Sequence, residues 1–192
     1  MTRETNIKLL IEQIKSSNVK AEYKLFELYY SYVKSICLRY SNNEDDADEM
    51  LNDSFLRVFK YIDRYDPDYD FKPWLRKVSV NACLDHNKKY FEEKKKVSID
   101  KYNELEGDND EMLLQNFSGE ECMNMLSGLS PQYKIVFNLY VFEEMKHHEI
   151  AQELNISVGT SKSNLSRAKE QLREQMKEKR PELFHNKKVL NG

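Results

Sequence analysis

Apolar residues recur at helical spacing along almost the whole chain, and the recurrence fails once, between Val97 and about Gly119. That pattern constrains the fold more than any other feature, because a period of 3.6 buries one side of a helix and cannot serve a strand. Ile7, Leu10, Ile11 and Ile14 predict a first helix to about Ser16. Leu25, Leu28, Tyr29, Tyr32, Val33, Ile36 and Cys37 predict a second over about 21–40, which Ser41-Asn42-Asn43 breaks. A third helix starts with Glu44–Asp46, acids placed where the helix dipole favours them, and turns Ala47, Met50, Leu51, Ser54, Phe55, Val58, Phe59 and Ile62 inward. Asp66-Pro67 reads as a loop, and a fourth helix starts near Pro73 and continues to about Phe91. With only 5 Gly and 4 Pro in 192 residues, the punctuation that a many-stranded sheet needs is missing.

Beyond the acidic stretch, order resumes at Glu120. Met123, Leu126 and Leu129 mark a short helix, and Ser130-Pro131 supplies an N-cap with proline at the first helical position. Two further segments, His147–Leu154 and Val158 to about Lys179, are separated by the three residues Asn155-Ile156-Ser157. Helix, three-residue turn, helix is the outline of a helix-turn-helix.

Several classes are excluded. No stretch reaches the roughly 20 apolar residues of a membrane span. Met1-Thr2-Arg3-Glu4-Thr5 has no apolar segment behind it, so no secretory signal is expected and the chain is expected in the cytoplasm. Cys37, Cys83 and Cys122 lie far apart, which predicts buried thiols without a zinc site or a disulfide framework. His147 and His148 are adjacent, so they point to different sides of a helix and cannot chelate one metal. No glycine-rich phosphate loop and no catalytic constellation is present, so neither an enzyme activity, a metal nor a cofactor is expected.

The net charge of -3 conceals a segregated pattern. Residues 44–53 carry six acids and no base; residues 72–96 carry eight bases against three acids. Residues 100–121 carry eight acids against one base, and residues 162–188 carry nine bases against four acids. Two basic blocks divided by an acidic stretch predict two docking places for a polyanion.

The motifs carry a resemblance that spans about residues 20–180. EIAQELNISVGTSKSNLSRAKEQLRE (149–174), preceded by LSPQYKIVFNLYVFE (129–143), resembles the region-4 helix-turn-helix of bacterial RNA polymerase sigma factors of the extracytoplasmic-function group. DDADEMLNDSFLRVFKYIDRYD (45–66) is similar to the region-2 helix that docks on the polymerase core, and FKPWLRKVSVNACLDHNKK (71–89) to the segment that engages the promoter -10 element. The resemblance implies an all-α chain of two small helical domains: region 2 over 1–96, a flexible acidic linker over 97–119, region 4 over 120–183, and a tail over 184–192.

It also implies roles for residues. Asp46, Glu49, Asn52 and Asp53 fall on the surface that grips the clamp of the largest core subunit; the family more often has Gln and Glu where this chain has Asn52 and Asp53. Trp74, Arg76, Lys77, Asn81, Lys88 and Lys89 fall on the segment that faces the -10 strand. Trp74, the one tryptophan, is either a packing residue or DNA-facing, and Asn81 either reads a base edge or stabilises its helix. Lys162, Ser163, Asn164, Ser166 and Arg167 lie within two turns of the helix-turn-helix turn, where recognition helices meet base edges. The chain departs from the group at Asn164, where Arg is common, and at Ser161, where Val is common. The implied partners are RNA polymerase core, through its clamp and flap, and promoter DNA, with control by an anti-sigma factor or a DNA-bound recruiting protein. The competing reading is a helix-turn-helix regulator that binds operators without polymerase.

Overall fold

The structure is a computed structural model that describes residues 3–92 and 115–185. The predicted linker therefore lies outside the described residues from 97 to 114, as does the end of the tail from 186. Every regular element among the described residues is a helix, and none of these helices is long and apolar enough to cross a membrane. The chain divides into two units, residues 1–87 and 88–192.

The first unit is built from α1 (Arg3–Lys15), α2 (Val19–Tyr40), α3 (Glu44–Tyr61), a 3-10 turn at Ile62–Arg64, and α4 (Phe71–Asn87). Asn18 and Asn43 cap α2 and α3: the Asn18 side chain accepts from the Lys20 and Ala21 amides, and that of Asn43 accepts from the Asp46 amide. Helices α2, α3 and α4 pack on one another around Leu25, Val33, Ile36, Met50, Val58 and Leu75, all sealed from solvent. Each such side chain contributes about 1.5–3 kcal/mol of burial. The inward stripe predicted for α3 is observed at Ala47, Met50, Leu51, Ser54, Phe55 and Val58; Ile62 is buried too, from the 3-10 turn. Ser54 and Ser79 enter this core by donating to the carbonyls of Met50 and Leu75, one turn back on their own helices.

The fourth helix differs from expectation at both ends. It begins at Phe71, before Pro73, and it stops at Asn87 instead of running to Phe91. Asn87 is buried, and its side-chain amide donates to the carbonyls of Cys83 and Tyr40, which ties the ends of α4 and α2 together. After a turn at Lys88, Lys89–Glu92 form a separate short helix, α5.

The second unit contains α5, α6 (Gly119–Ser127), α7 (Pro131–Val141), α8 (His147–Leu154), α9 (Val158–Lys179) and α10 (Glu182–His185). Ser118 and Glu121 close a capping box at the start of α6. α7 packs along α9 through Ile135, Val136 and Leu139, and α5 leans on α7, where the Gln132 side chain donates to the Tyr90 carbonyl. Asn155 takes the left-handed conformation (φ 52°) that ends α8, and Ser157 caps α9 by accepting from the Thr160 amide. Those two residues make the sharp turn predicted between the helix pair.

Candidate functional site

Three exposed surfaces are candidates, and each follows from helical spacing over a buried stripe. On α3 the residues opposite the core are Glu49, Asn52, Asp53 and Leu56, at positions i, i+3, i+4 and i+7, and all four are exposed. Asp46 continues the ridge toward the N-terminus; it is half-buried and accepts from the Asn42 amide at 3.4 Å. Neighbouring Asp48 is paired with Lys34 of α2 at 2.5 Å, which lifts the lysine above its ordinary value and occupies that carboxylate. Leu56 is 67% exposed at the C-terminal end of this polar ridge. The motif reading passed over it, although its spacing from Glu49 was available in the sequence.

On α4, Trp74, Lys77 and Asn81 stand on one ridge at i, i+3 and i+7. Lys77 and Asn81 are exposed, Arg76 is half-buried beside them, and the next outward residue, Asp85, is ion-paired to Arg57 of α3 at 2.5 Å. The positive character of the ridge is thus not cancelled at its C-terminal end. Trp74 is half-buried and leans on Tyr65 and Phe71, with ring centroids 5.5 and 5.6 Å away. Its ring belongs to the packing and only its outer part to the surface. Lys88 is exposed in the turn after α4, and Lys89 opens α5; both belong to the second unit.

Below the start of α4 lies a cleft of about 630 Å³ that sequence reasoning missed. Tyr29 and Tyr32 of α2, Tyr65 and Tyr69 of the loop, and Phe71 and Lys72 of α4 line it, with Ile7 and Lys8 of α1 at one side. The Tyr65 hydroxyl donates to the Tyr69 carbonyl and pins the loop. Burial, with Asp70, Tyr29 and Asp66 nearby, raises the Tyr65 phenol above its ordinary value, so it remains a donor at neutral pH. The Lys72 ammonium sits 4.5 Å from the Tyr32 ring centre. Exposed Asp68 and Asp70 at the rim disfavour a phosphate there, while the aromatic walls suit the face of a planar ring.

In the second unit the buried stripe of α9 runs through Ser161, Leu165, Ala168, Leu172 and Met176. Ser163 and Arg167 lie farthest from that stripe, with Lys162 and Ser166 toward one flank and Asn164 on the other. Asn164 is half-buried, whereas Arg167 is exposed and paired with Glu170 at 3.6 Å. Ser163 turns its hydroxyl back to the Thr160 carbonyl at 3.0 Å. The departure at Ser161 has a local partner: its hydroxyl lies 3.0 Å from Nδ1 of His147, whose ring stacks on Tyr140 at 4.9 Å. Burial, and then Lys162 and Lys169, hold the imidazole below its ordinary value, so it is neutral at pH 7. Among the described residues no three His, Cys, Asp or Glu side chains come together as a metal-ligand group.

A helix-turn-helix whose second helix carries exposed cations in one unit, and an acidic ridge beside one bearing Lys77 in the other, are the outline of a helical DNA-binding protein. Comparison with known proteins gives the family. Residues 25–90 match the family described as Sigma-70 region 2, and residues 120–172 match Sigma-70, region 4, together more than half of the chain. The ECF RNA polymerase sigma factor SigW of Bacillus subtilis (strain 168) is 26% identical over 186 residues, covering 91% of this chain and 99% of its own. SigM of the same organism, also an ECF RNA polymerase sigma factor, is 28% identical over 155 residues, covering 78% and 91%. Among solved structures, that of CnrH in complex with the cytosolic domain of CnrY aligns at 20% identity with a TM-score of 0.45, covering 88% of this chain and 96% of that one.

The chain belongs to the sigma-70 family, in the extracytoplasmic-function group. It is a transcription initiation factor that directs RNA polymerase to promoters, and the operator-binding regulator is set aside.

Proposed function

We propose that the first unit divides its labour between two ridges. The observation that carries this reading is their opposite chemistry on adjacent helices. The α3 ridge presents Glu49, Asn52 and Asp53 with exposed Leu56 one turn further on, and the α4 ridge presents Trp74, Lys77 and Asn81. The acidic ridge, extended by Asp46, docks on the clamp of the largest polymerase subunit, with Leu56 as the apolar anchor at its C-terminal end. Interfaces concentrate their energy in such anchors. The α4 ridge, with Arg76 and with Lys88 and Lys89 further along the chain, follows the backbone of the -10 strand.

The tyrosine cleft receives a base from that strand once it is unpaired. A base stacked on aromatic rings gains about 1–3 kcal/mol, and this gain accrues only in the open state. Capture therefore shifts the equilibrium toward melted DNA without ATP and without any bond being made by the factor. On this account the protein has no catalytic activity of its own and works in the cytoplasm. Residues 120–183 read the -35 element as duplex through Lys162, Ser163, Asn164, Ser166 and Arg167, and contact the flap. Residues 97–119 connect the two activities as an acidic linker that enters the polymerase channel.

The test uses holoenzyme reconstituted from core and this chain on a promoter fragment, with permanganate reactivity of unpaired thymines as the readout. Lys77→Ala with Asn81→Ala is expected to retain core binding and lose -10 opening. Opening at the level of the unmodified protein would refute the role given to α4.

A further inference from the structure

Cys37 and Cys83 are 46 positions apart, yet their side chains meet inside the first unit. The Cys83 thiol donates to Cys37 Sγ at 3.9 Å, and Cys37 Sγ is also 3.9 Å from the Ser54 hydroxyl. Both residues are fully buried, one on α2 and the other on α4. Neither is used by the docking ridge, the -10 ridge or the cleft. The helix ends beyond them are held together, because the Asn87 amide bridges the Cys83 carbonyl at 2.9 Å and the Tyr40 carbonyl at 3.2 Å. A disulfide needs the two sulfurs to close to about 2 Å, a movement of the size that side-chain rotation and small helix shifts supply. Cys122, in the second unit, is half-buried.

We infer that Cys37 and Cys83 are a reversible modification site: on exposure to hydrogen peroxide they form a disulfide that fastens α4, and the DNA-facing ridge it carries, to α2. The two thiols are unequal in a way that suits the chemistry. The hydrogen bond from Cys83, with Lys34 nearby, pulls the Cys37 thiol below its ordinary value, while the same contact and burial push Cys83 well above its own. Cys37 is thus the nucleophile and Cys83 keeps its proton until the second step.

In the first step the Cys37 thiolate attacks one peroxide oxygen, the S–O bond forms, the O–O bond breaks, and the leaving hydroxide takes up the Cys37 proton as water. In the second, Cys83 sulfur attacks the sulfenic sulfur, the S–S bond forms, the S–O bond breaks, and hydroxide leaves with the Cys83 proton as a second water. Two thiols are oxidised by two electrons, and one peroxide is reduced to two waters. Because both sulfurs are buried, reagent reaches them only when the helices part. The rate therefore levels off as peroxide concentration rises.

The experiment treats the purified full-length chain with hydrogen peroxide and counts thiols after denaturation, with peptide mapping under non-reducing conditions. The expected count falls from three to one, the mapped link joins Cys37 to Cys83, and dithiothreitol restores all three. The thermal midpoint of the oxidised protein rises and returns on reduction. The same treatment of Cys122→Ser is expected to give the same link, so the result does not depend on that thiol. Mapping that finds Cys37 and Cys83 both still reduced after Cys122 has been oxidised overturns the inference, as does a link that joins either of them to Cys122. Because the unmodified chain is the main sample, the outcome does not hang on whether a core cysteine variant folds.

Discussion

Joint replacement of Glu49, Asn52 and Asp53 by alanine separates docking from folding, and the structure sets both magnitudes. All three side chains are exposed on α3, and none makes a hydrogen bond or ion pair among the described residues. Their removal therefore costs within about 0.5 kcal/mol each, and alanine's higher helix propensity offsets part of that. At the interface the balance is different. A charged or amide group that is paired and desolvated in a complex costs about 2–5 kcal/mol when truncated, and such losses are not additive.

A joint loss of about 3–5 kcal/mol corresponds to roughly 10²- to 10⁴-fold in Kd, at about 1.4 kcal/mol per tenfold. Fluorescence anisotropy of labelled protein against purified core reads the affinity, and circular dichroism reads the fold. Two controls bracket the result. Asp48→Ala, whose carboxylate is already held by Lys34, is expected to leave affinity nearly unchanged. Leu25→Ala, at a fully buried position, is expected to lower stability by about 2–5 kcal/mol and so shows what a folding defect looks like. A triple variant that binds core within about threefold of the unmodified protein, where 1.4 kcal/mol would already be tenfold, refutes the docking assignment.

Three further outcomes are expected. Lys77→Ala should reduce the dependence of log affinity on log salt by about 0.7 for a single-stranded -10 oligonucleotide bound by holoenzyme, the share of one phosphate contact; an unchanged slope places Lys77 off the strand. Asn164→Arg should increase run-off transcription from a promoter with an intact -35 element over one with a scrambled element, since the half-buried amide on the flank of α9 contributes little selectivity; equal ratios for the two proteins count against that. Because the folded His147 ring titrates below the ordinary histidine value, the unfolded chain takes up the proton first. Stability is therefore lost as pH falls through about 6.5, and a thermal midpoint that falls equally in His147→Gln removes this residue as the cause.

The helices of both units are legible in the sequence because their determinants are local. Asn18, Asn43 and Ser157 cap within three residues of themselves, and the stripes on α3 and α9 recur at fixed spacing. The exposed ridges follow from those stripes as their complements, so Glu49, Asn52, Asp53, Lys77 and Asn81 could be placed before any coordinates. What could not be read depends on contacts between residues distant in the chain. The break after Asn87 follows from its bond to Tyr40, 47 positions earlier. The tyrosine cleft is assembled from α1, α2, the 65–70 loop and α4, and no single motif contains it. The cysteines, which spacing alone describes as isolated, meet because α2 and α4 cross in the core. Ser161, a departure when read against its family, is explained only by His147 across the helix-turn-helix.

The most direct test of the account is transcript mapping in vitro, with genomic DNA of the source organism as template and purified core polymerase supplied with or without this chain. The account predicts a set of start sites that appears only with the chain, shares a pair of upstream elements at -35 and -10, and disappears with Glu49, Asn52 and Asp53 replaced by alanine. A transcript profile identical with and without the chain, from a preparation shown to bind core, contradicts it.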